Sequence, residues 1–363
     1  MRKITLLFMA FIAMTVVAGD VVKAVDRNNL DPNTAPGQNF YQYACGGWKL
    51  NHPLDPQYAR FGTFDQLREN SLEQVKDIIT TLGTNNPRGS IKQKVGDLYA
   101  QGMDSVRLNK EGMAPLMSYI TQLKSLSRDQ FMAAIADQHK GIAGPFFNSA
   151  VMADLKDSNA NMFYLTQGGL GMGDRDYYLD NDANTVKVRN AYVNYIQQIF
   201  ELLGYKKAGA KKAAQHVMAI ETALAKVAMT REETRDYSKL YNVMSLNQLR
   251  ADYPNINWSQ YFAGLDISEL DKVCVFQPKS IAKVNEMLKT LKEDDVREYL
   301  IFKYADAASP YLSDAFACSA IISMTGDNGK RIITDVASGM CAIDLPVPST
   351  SGATYDSLLG DRF

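Results

Sequence analysis

Phe40–Trp48 reads FYQYACGGW, and a little further on Arg60–Leu67 reads RFGTFDQL. Neither stretch follows the three-to-four-residue spacing of an amphipathic helix or the alternation of a strand, so each reads as a motif rather than as patterning. Outward from them the chain turns helical. Phe64, Leu67, Leu72, Val75, Ile78, Ile79 and Leu82 recur mostly at three- and four-residue spacing, with Thr63 placed as N-cap and Gly83 as stop. Amphipathic spacing with recognisable ends predicts further helices over Ser90–Met103, Arg128–His139, Val186–Leu203, Ala210–Met229, Ser280–Leu291 and Asp294–Tyr304. The β signal is a hairpin, Phe147–Ala153 against Asn161–Thr166, joined by the polar stretch Leu155–Ala160. Upstream, Val25–Gln38 is rich in Pro and Asn and reads as an extended lead-in.

With 363 residues, 46% of them hydrophobic, the chain can bury a large core. Its 39 basic and 40 acidic residues balance to a net charge of −1, and no basic stripe is present. Phosphate backbones need clustered Lys and Arg, so nucleic acid is excluded as a partner. Arg2 and Lys3 precede an apolar run from Ile4 to Ala18, the layout of a secretory signal peptide over residues 1–24. Export is therefore expected, to a periplasmic or extracellular location, with a mature start between Gly19 and Val25. An uncleaved signal serving as a membrane tether is the alternative. Four cysteines, Cys45, Cys274, Cys318 and Cys341, are too few and too dispersed for a disulfide scaffold. Cys45 reads equally as a small buried hydrophobe.

More motifs lie within the helical body: Lys94–Asp104 (KVGDLYAQGMD), Gly169–Leu179 (GLGMGDRDYYL), Glu221 with Leu224 and Ala225, then Arg231, Tyr241-Asn242 and Tyr311–Ser313. Together with the opening pair they make the chain resemble the neprilysin and endothelin-converting-enzyme type of zinc metallopeptidase, over roughly Asn39 to Phe316. The resemblance implies a mainly α fold, a multi-helix cap domain with a small β-hairpin over residues 39–316, preceded by the lead-in 25–38. In the family this N-terminal domain roofs a zinc domain and encloses short peptides, which are the substrates. It further implies that Arg60 lies near the substrate cleft, where a guanidinium can hold a peptide's terminal carboxylate by two parallel hydrogen bonds. Some relatives carry a second basic residue where Asn51 stands, and the cysteine matching Cys45 can pair with a distant one in the catalytic half. Bracing of the following helix, or pairing with Asp65, is the structural alternative for Arg60, and Phe40, Tyr41 and Trp48 are expected to anchor packing. Residues 317–363 depart abruptly from the likeness, in composition and in spacing, and are expected to be a divergent tail, with a reading frame shifted near Phe316 and a local divergence as the two explanations.

The zinc-binding His-Glu-x-x-His of such enzymes occurs nowhere in these residues. Zinc peptidase chemistry needs three protein ligands around an open position, whereas His52, His139 and His216 are isolated, and Glu221 stands five residues from His216, off its helical face. All three read as ordinary surface or partly buried histidines. Gly168–Gly173 is neither a P-loop nor a dinucleotide fingerprint, because it leads into Asp174-Arg175-Asp176 instead of a Gly-Lys-Ser/Thr helix start. Its glycines read as tight-turn residues, and the acidic pair with Arg175 as an ion-paired turn. No G-x-S-x-G elbow is present. The expectation is an incomplete exported metallopeptidase, a cap domain with no catalytic residues and no metal ligand of its own, zinc belonging to full-length relatives and the missing catalytic half a partner only if it is supplied elsewhere. A noncatalytic exported peptide-binding or interaction module is the alternative.

Overall fold

The structure, a computed structural model, describes residues 25–54, 61–82, 86–141 and 143–316. The signal segment, Arg60, Gly83, Cys318, Cys341 and the tail 317–363 lie outside the described residues. The chain divides into two compact units, Met1–Pro56 and Gln57–Phe363.

In the first unit the expected extended lead-in is instead folded. Asp26 caps a short 3-10 turn, Arg27–Asn29, by accepting from the Asn28 amide at 3.0 Å. A helix α1, Phe40–Asn51, follows, its first turn capped by Asn39, which accepts from the Gln42 amide at 3.0 Å. Asp31 ties the two together. Its carboxylate accepts from the Gln42 side chain at 3.0 Å and the Thr34 hydroxyl at 2.9 Å, while its amide donates to the Tyr43 carbonyl at 2.8 Å. The hydrogen bond from Gln42, then that from Thr34, hold the Asp31 carboxyl below its usual range. The Gly46-Gly47 pair of FYQYACGGW is explained by close approach: a Cβ on Gly47 would lie 2.2 Å from the Asn28 carbonyl oxygen and 2.6 Å from that of Leu30, and one on Gly46 2.6 Å from the Asp31 Cβ. The motif is thus helical after all, with the glycines admitting backbone against one face. Trp48 stacks on His52 with ring centroids 4.5 Å apart. Phe40 and Tyr41 are 69% and 67% exposed, so they do not anchor this unit as expected.

The second unit opens with α2 (Thr63–Thr81), α3 (Ile91–Met103) and α4 (Ser105–Glu111), none of which buries a residue. The expected N-cap shifts by one: Gly62 occupies that position, and its amide donates to the Asp65 carboxylate at 2.9 Å. The body comprises α5 (Ala114–Lys124), α6 (Phe131–Lys140), α7 (Asp176–Leu179), α8 (Ala183–Leu202), α9 (Lys207–Val227), α10 (Tyr237–Leu240), α11 (Leu246–Asp252), α12 (Trp258–Gly264), α13 (Pro278–Thr290) and α14 (Glu293–Ala308). Gly204, at φ +86°, ends the α8 region at the tight turn into α9, which buries Ala210, Ala213, Ala214, Val217, Ile220, Glu221, Leu224 and Ala225 along one stripe. Helix α14 runs through the core against α5, α8 and α9. It has no polar stripe over Tyr299–Lys303, all five residues being buried, as befits a central helix.

The hairpin is there, but longer and with a tighter turn than expected. Strands β1 (Phe147–Asp154) and β2 (Asp157–Gln167) pair antiparallel, so most of the supposed Leu155–Ala160 loop is strand and only Leu155-Lys156 makes the turn. Two further short strands join it, β3 (Val243–Ser245) and β4 (Lys272–Val275), giving the order β1-β2-β4-β3. Strand β4 runs parallel to β2, with Phe163, Tyr164 and Leu165 opposite Val273, Cys274 and Val275. One face of this sheet joins the main core through Phe147, Phe163 and Leu165; the other buries Met162, Tyr164 and Cys274.

Candidate functional site

The GLGMGDRDYYL motif is the most elaborately held piece of the second unit. Gly169 and Gly173 adopt φ +80° and +76°, as the glycine reading expects. A Cβ on Gly171 would sit 1.7 Å from the Tyr192 hydroxyl, and one on Gly169 2.6 Å from that of Tyr299. Beneath the loop lies Glu221, fully buried on α9. Its Oε2 accepts from the Tyr178 hydroxyl at 2.6 Å, the Tyr192 hydroxyl at 3.0 Å and the Gly171 amide at 3.2 Å, with Lys303 Nζ 3.7 Å from Oε1. Tyr299 completes the frame, donating to the Gly169 carbonyl at 3.0 Å and accepting from the Phe146 amide at 3.0 Å. Burial raises the Glu221 carboxyl, and Lys303 together with the tyrosine and amide donors pulls it back. Burial and the adjoining Glu221 charge push Tyr178 and Tyr192 well above the usual phenol range.

This arrangement positions backbone and leaves no acid or base free to meet a substrate. The Asp-Arg-Asp turn pairs mainly elsewhere than expected: Asp174 bonds Arg231 across the loop, while Arg175 and Asp176 stand 4.0 Å apart. The buried Glu221 frame was missed in sequence, although the signal was present. A glutamate at 221 falls on the Val217, Ile220, Leu224 stripe, where a buried position calls for partners.

The histidines separate. His139 Nε2 faces the Pro145 carbonyl at 3.1 Å and therefore carries its proton, which leaves Nδ1 to meet the Tyr261 hydroxyl at 2.7 Å. Tyr261 in turn shares a hydrogen bond with Ser149 at 2.8 Å, and the imidazole packs edge-on against Phe147 at 5.0 Å. Burial lowers His139 to about 4, so of the surface and partly buried readings it takes the second, as a structural group. His216 turns away from Glu221, as its spacing requires, and meets Glu298 at 2.5 Å and Asp295 at 3.2 Å on α14. A cavity of about 350 Å³ adjoins this cluster, lined among others by Lys124, Lys212, Lys292 and Arg297, so acid and base are mixed there. Among the described residues no group of three or more His, Cys, Asp or Glu is arranged to hold a metal, and no helix is long and apolar enough to cross a membrane. Cys45 is half-buried and Cys274 buried, both as free thiols.

A second feature is what remains uncovered. Phe64 is 89% exposed, Ile91 80% and Val106 79%, with Leu67, Ile78 and Leu98 also exposed, all on α2, α3 and α4. Phe64, Leu67 and Ile78 are among the residues that gave α2 its apolar spacing, and they stand exposed among the described residues.

Comparison with known proteins places the chain among relatives about twice its length. Endothelin-converting enzyme 1 from Cavia porcellus is 29% identical over 303 residues, covering 80% of this chain and 40% of the relative. The human enzyme is 28% identical over 303 residues, with 39% of its length covered. Among solved structures, the fold is similar to that of a Mycobacterium tuberculosis zinc metalloprotease crystallised with an inhibitor (TM-score 0.75, 24% identity, 88% of this chain and 50% of the other). It is also similar to PepO from Lactobacillus rhamnosis (TM-score 0.62, 18% identity, 87% and 48%). The chain thus spans between two fifths and half the length of these proteins. The model of peptidase family M13 matches residues 36–323, the GLGMGDRDYYL loop and its Glu221 frame included, and the chain belongs to that family.

Proposed function

We propose that this chain supplies the substrate-enclosing helical half of a neprilysin-like zinc metallopeptidase and that, alone, it hydrolyses no peptide. The observation that carries this reading is the family match over 36–323 in a sequence without His-Glu-x-x-His. A zinc site of this kind needs two histidines one helical turn apart, a further ligand and a general-base glutamate, and these would come from residues outside the matched half. Apolar residues exposed on α2–α4 among the described residues support the reading, since exposed apolar surface is where interaction faces form. The residues present would enclose and orient short peptides. Arg60 would hold the peptide's terminal carboxylate, a contact worth about 1.5–3 kcal/mol for a charge-assisted bond.

The test is peptide binding to the purified chain, followed over time. Short peptides are expected to bind and remain intact, to lose roughly tenfold in affinity when their C-terminus is amidated, and to lose that distinction in Arg60→Ala. Cleavage that a chelator stops would contradict the enclosing-half reading, and equal affinity for acid and amide would remove Arg60 from it.

A further inference from the structure

Strand β1 closes the sheet on one side, with β2 as its partner and the order β1-β2-β4-β3 leaving its outer edge open. Which backbone groups face that edge follows from the neighbouring strand. The Leu165 carbonyl accepts from the Phe276 amide at 2.9 Å, on the β4 side, and the Gln167 amide donates to the Gln277 side chain at 2.8 Å. Alternate residues of β2 therefore turn their backbone groups away from β1. In an antiparallel pair, the residues opposite them turn theirs outward as well. Ser149 lies opposite Leu165 and Val151 opposite Phe163, so both aim N–H and C=O groups off the open edge. Among the described residues, no hydrogen bond from outside the ladder reaches the backbone of either.

Natural sheets blunt such edges with charge, proline or a bulge. From Asn148 to Ala153 the strand is NSAVMA, with no charge and no proline, and the one irregularity falls at its far end, between Ala153 and Asp154. Val151 is 61% exposed and Met152 44%, one apolar side chain on each face, beside the small Ala150. The strand is held from behind, because Phe147 is buried and Ser149 bonds Tyr261. It presents an uncharged hydrogen-bonding edge.

We propose that this edge receives an extended peptide, which joins the sheet as an added strand beside β1. The proposal rests on the peptide-enclosing reading and names how a peptide would be held. Strand addition draws affinity from main-chain hydrogen bonds and tolerates many sequences, and an uncharged edge sets no charge requirement on what it holds. A second copy of the chain fits less well. One strand of this length covers on the order of a few hundred Å² per partner, short of the roughly 800 Å² per partner of a stable association.

The experiment uses the full chain and a capped peptide of about seven residues alternating Val and Thr. At saturation, exchange of the Ser149 and Val151 amides should slow roughly tenfold, while those of Ala150 and Met152, already in the ladder, change little. Val151→Pro removes an outward N–H and no ladder bond, and should weaken binding roughly tenfold at an unchanged unfolding midpoint. The same peptide N-methylated on alternate residues, in one of its two registers, should fail to bind the unaltered chain, a readout that needs no variant to fold. Unchanged exchange at Ser149 and Val151, or equal binding of the methylated peptides, would overturn the proposal. Concentration-dependent protection of these amides without peptide would overturn it in favour of self-pairing. None of these results bears on zinc content or cleavage, so the family-level reading fails or survives separately.

Discussion

Glu221→Ala is expected to destabilise the second unit by about 3–5 kcal/mol, the cost of breaking a buried ion pair by removing one partner. The substitution strips Lys303 of its counter-charge and leaves the hydroxyls of Tyr178 and Tyr192 and the Gly171 amide without their acceptor, all beneath one loop. Urea unfolding of the variant against the parent measures the loss. The partner variant Glu221→Gln/Lys303→Met should recover much of it, because a neutral amide beside an apolar side chain strands no buried charge. A loss below about 1 kcal/mol for Glu221→Ala would mean that the carboxylate does not organise the GLGMGDRDYYL loop.

Acidification should weaken the fold through His139. An unfolded histidine titrates near 6.5 and His139 in the fold at about 4, because burial disfavours its charged form. Between those values the unfolded chain binds the proton and the folded one does not, so stability rises with pH across that window. The contribution is fully present above about 6.5 and is lost as pH falls toward 4, amounting to about 3 kcal/mol. Carboxylates add their own acid dependence, so the informative quantity is a difference. From about pH 7 to about pH 4, unfolding free energies of the parent should fall about 3 kcal/mol further than those of His139→Asn. Parallel pH profiles for the two proteins would contradict the assignment.

Much of the helical body was legible because its physics is local. Helices α3, α8, α9 and α13 carry apolar spacing over three or more turns and end at recognisable residues such as Ser90 and Gly204. What escaped notice depends on distant neighbours. Strands β3 and β4 span three and four residues, too short for periodicity, and are strands because β4 finds Phe163–Leu165 on one side and β3 on the other. Helix α14 owes its buried middle to the helices around it. The Gly46-Gly47 pair looked like pure motif, and its reason, carbonyls at 28 and 30 pressed against the helix, lies in a segment that composition marked as extended. Of the candidate site, Arg60 came from family likeness and stands outside the described residues. The Glu221 frame is instead a set of contacts between loop, α8, α9 and α14 that no single spacing encodes.

Zinc content tests most directly whether a peptide-enclosing half holds the metal with its own residues. The purified chain would be dialysed with excess zinc, then against metal-free buffer, and the metal counted per chain. We expect zinc far below one equivalent, since the three histidines occupy separate environments, stacked on Trp48, bonded to Tyr261 and paired with Glu298. One zinc retained per chain would contradict the account and place a metal site within these residues.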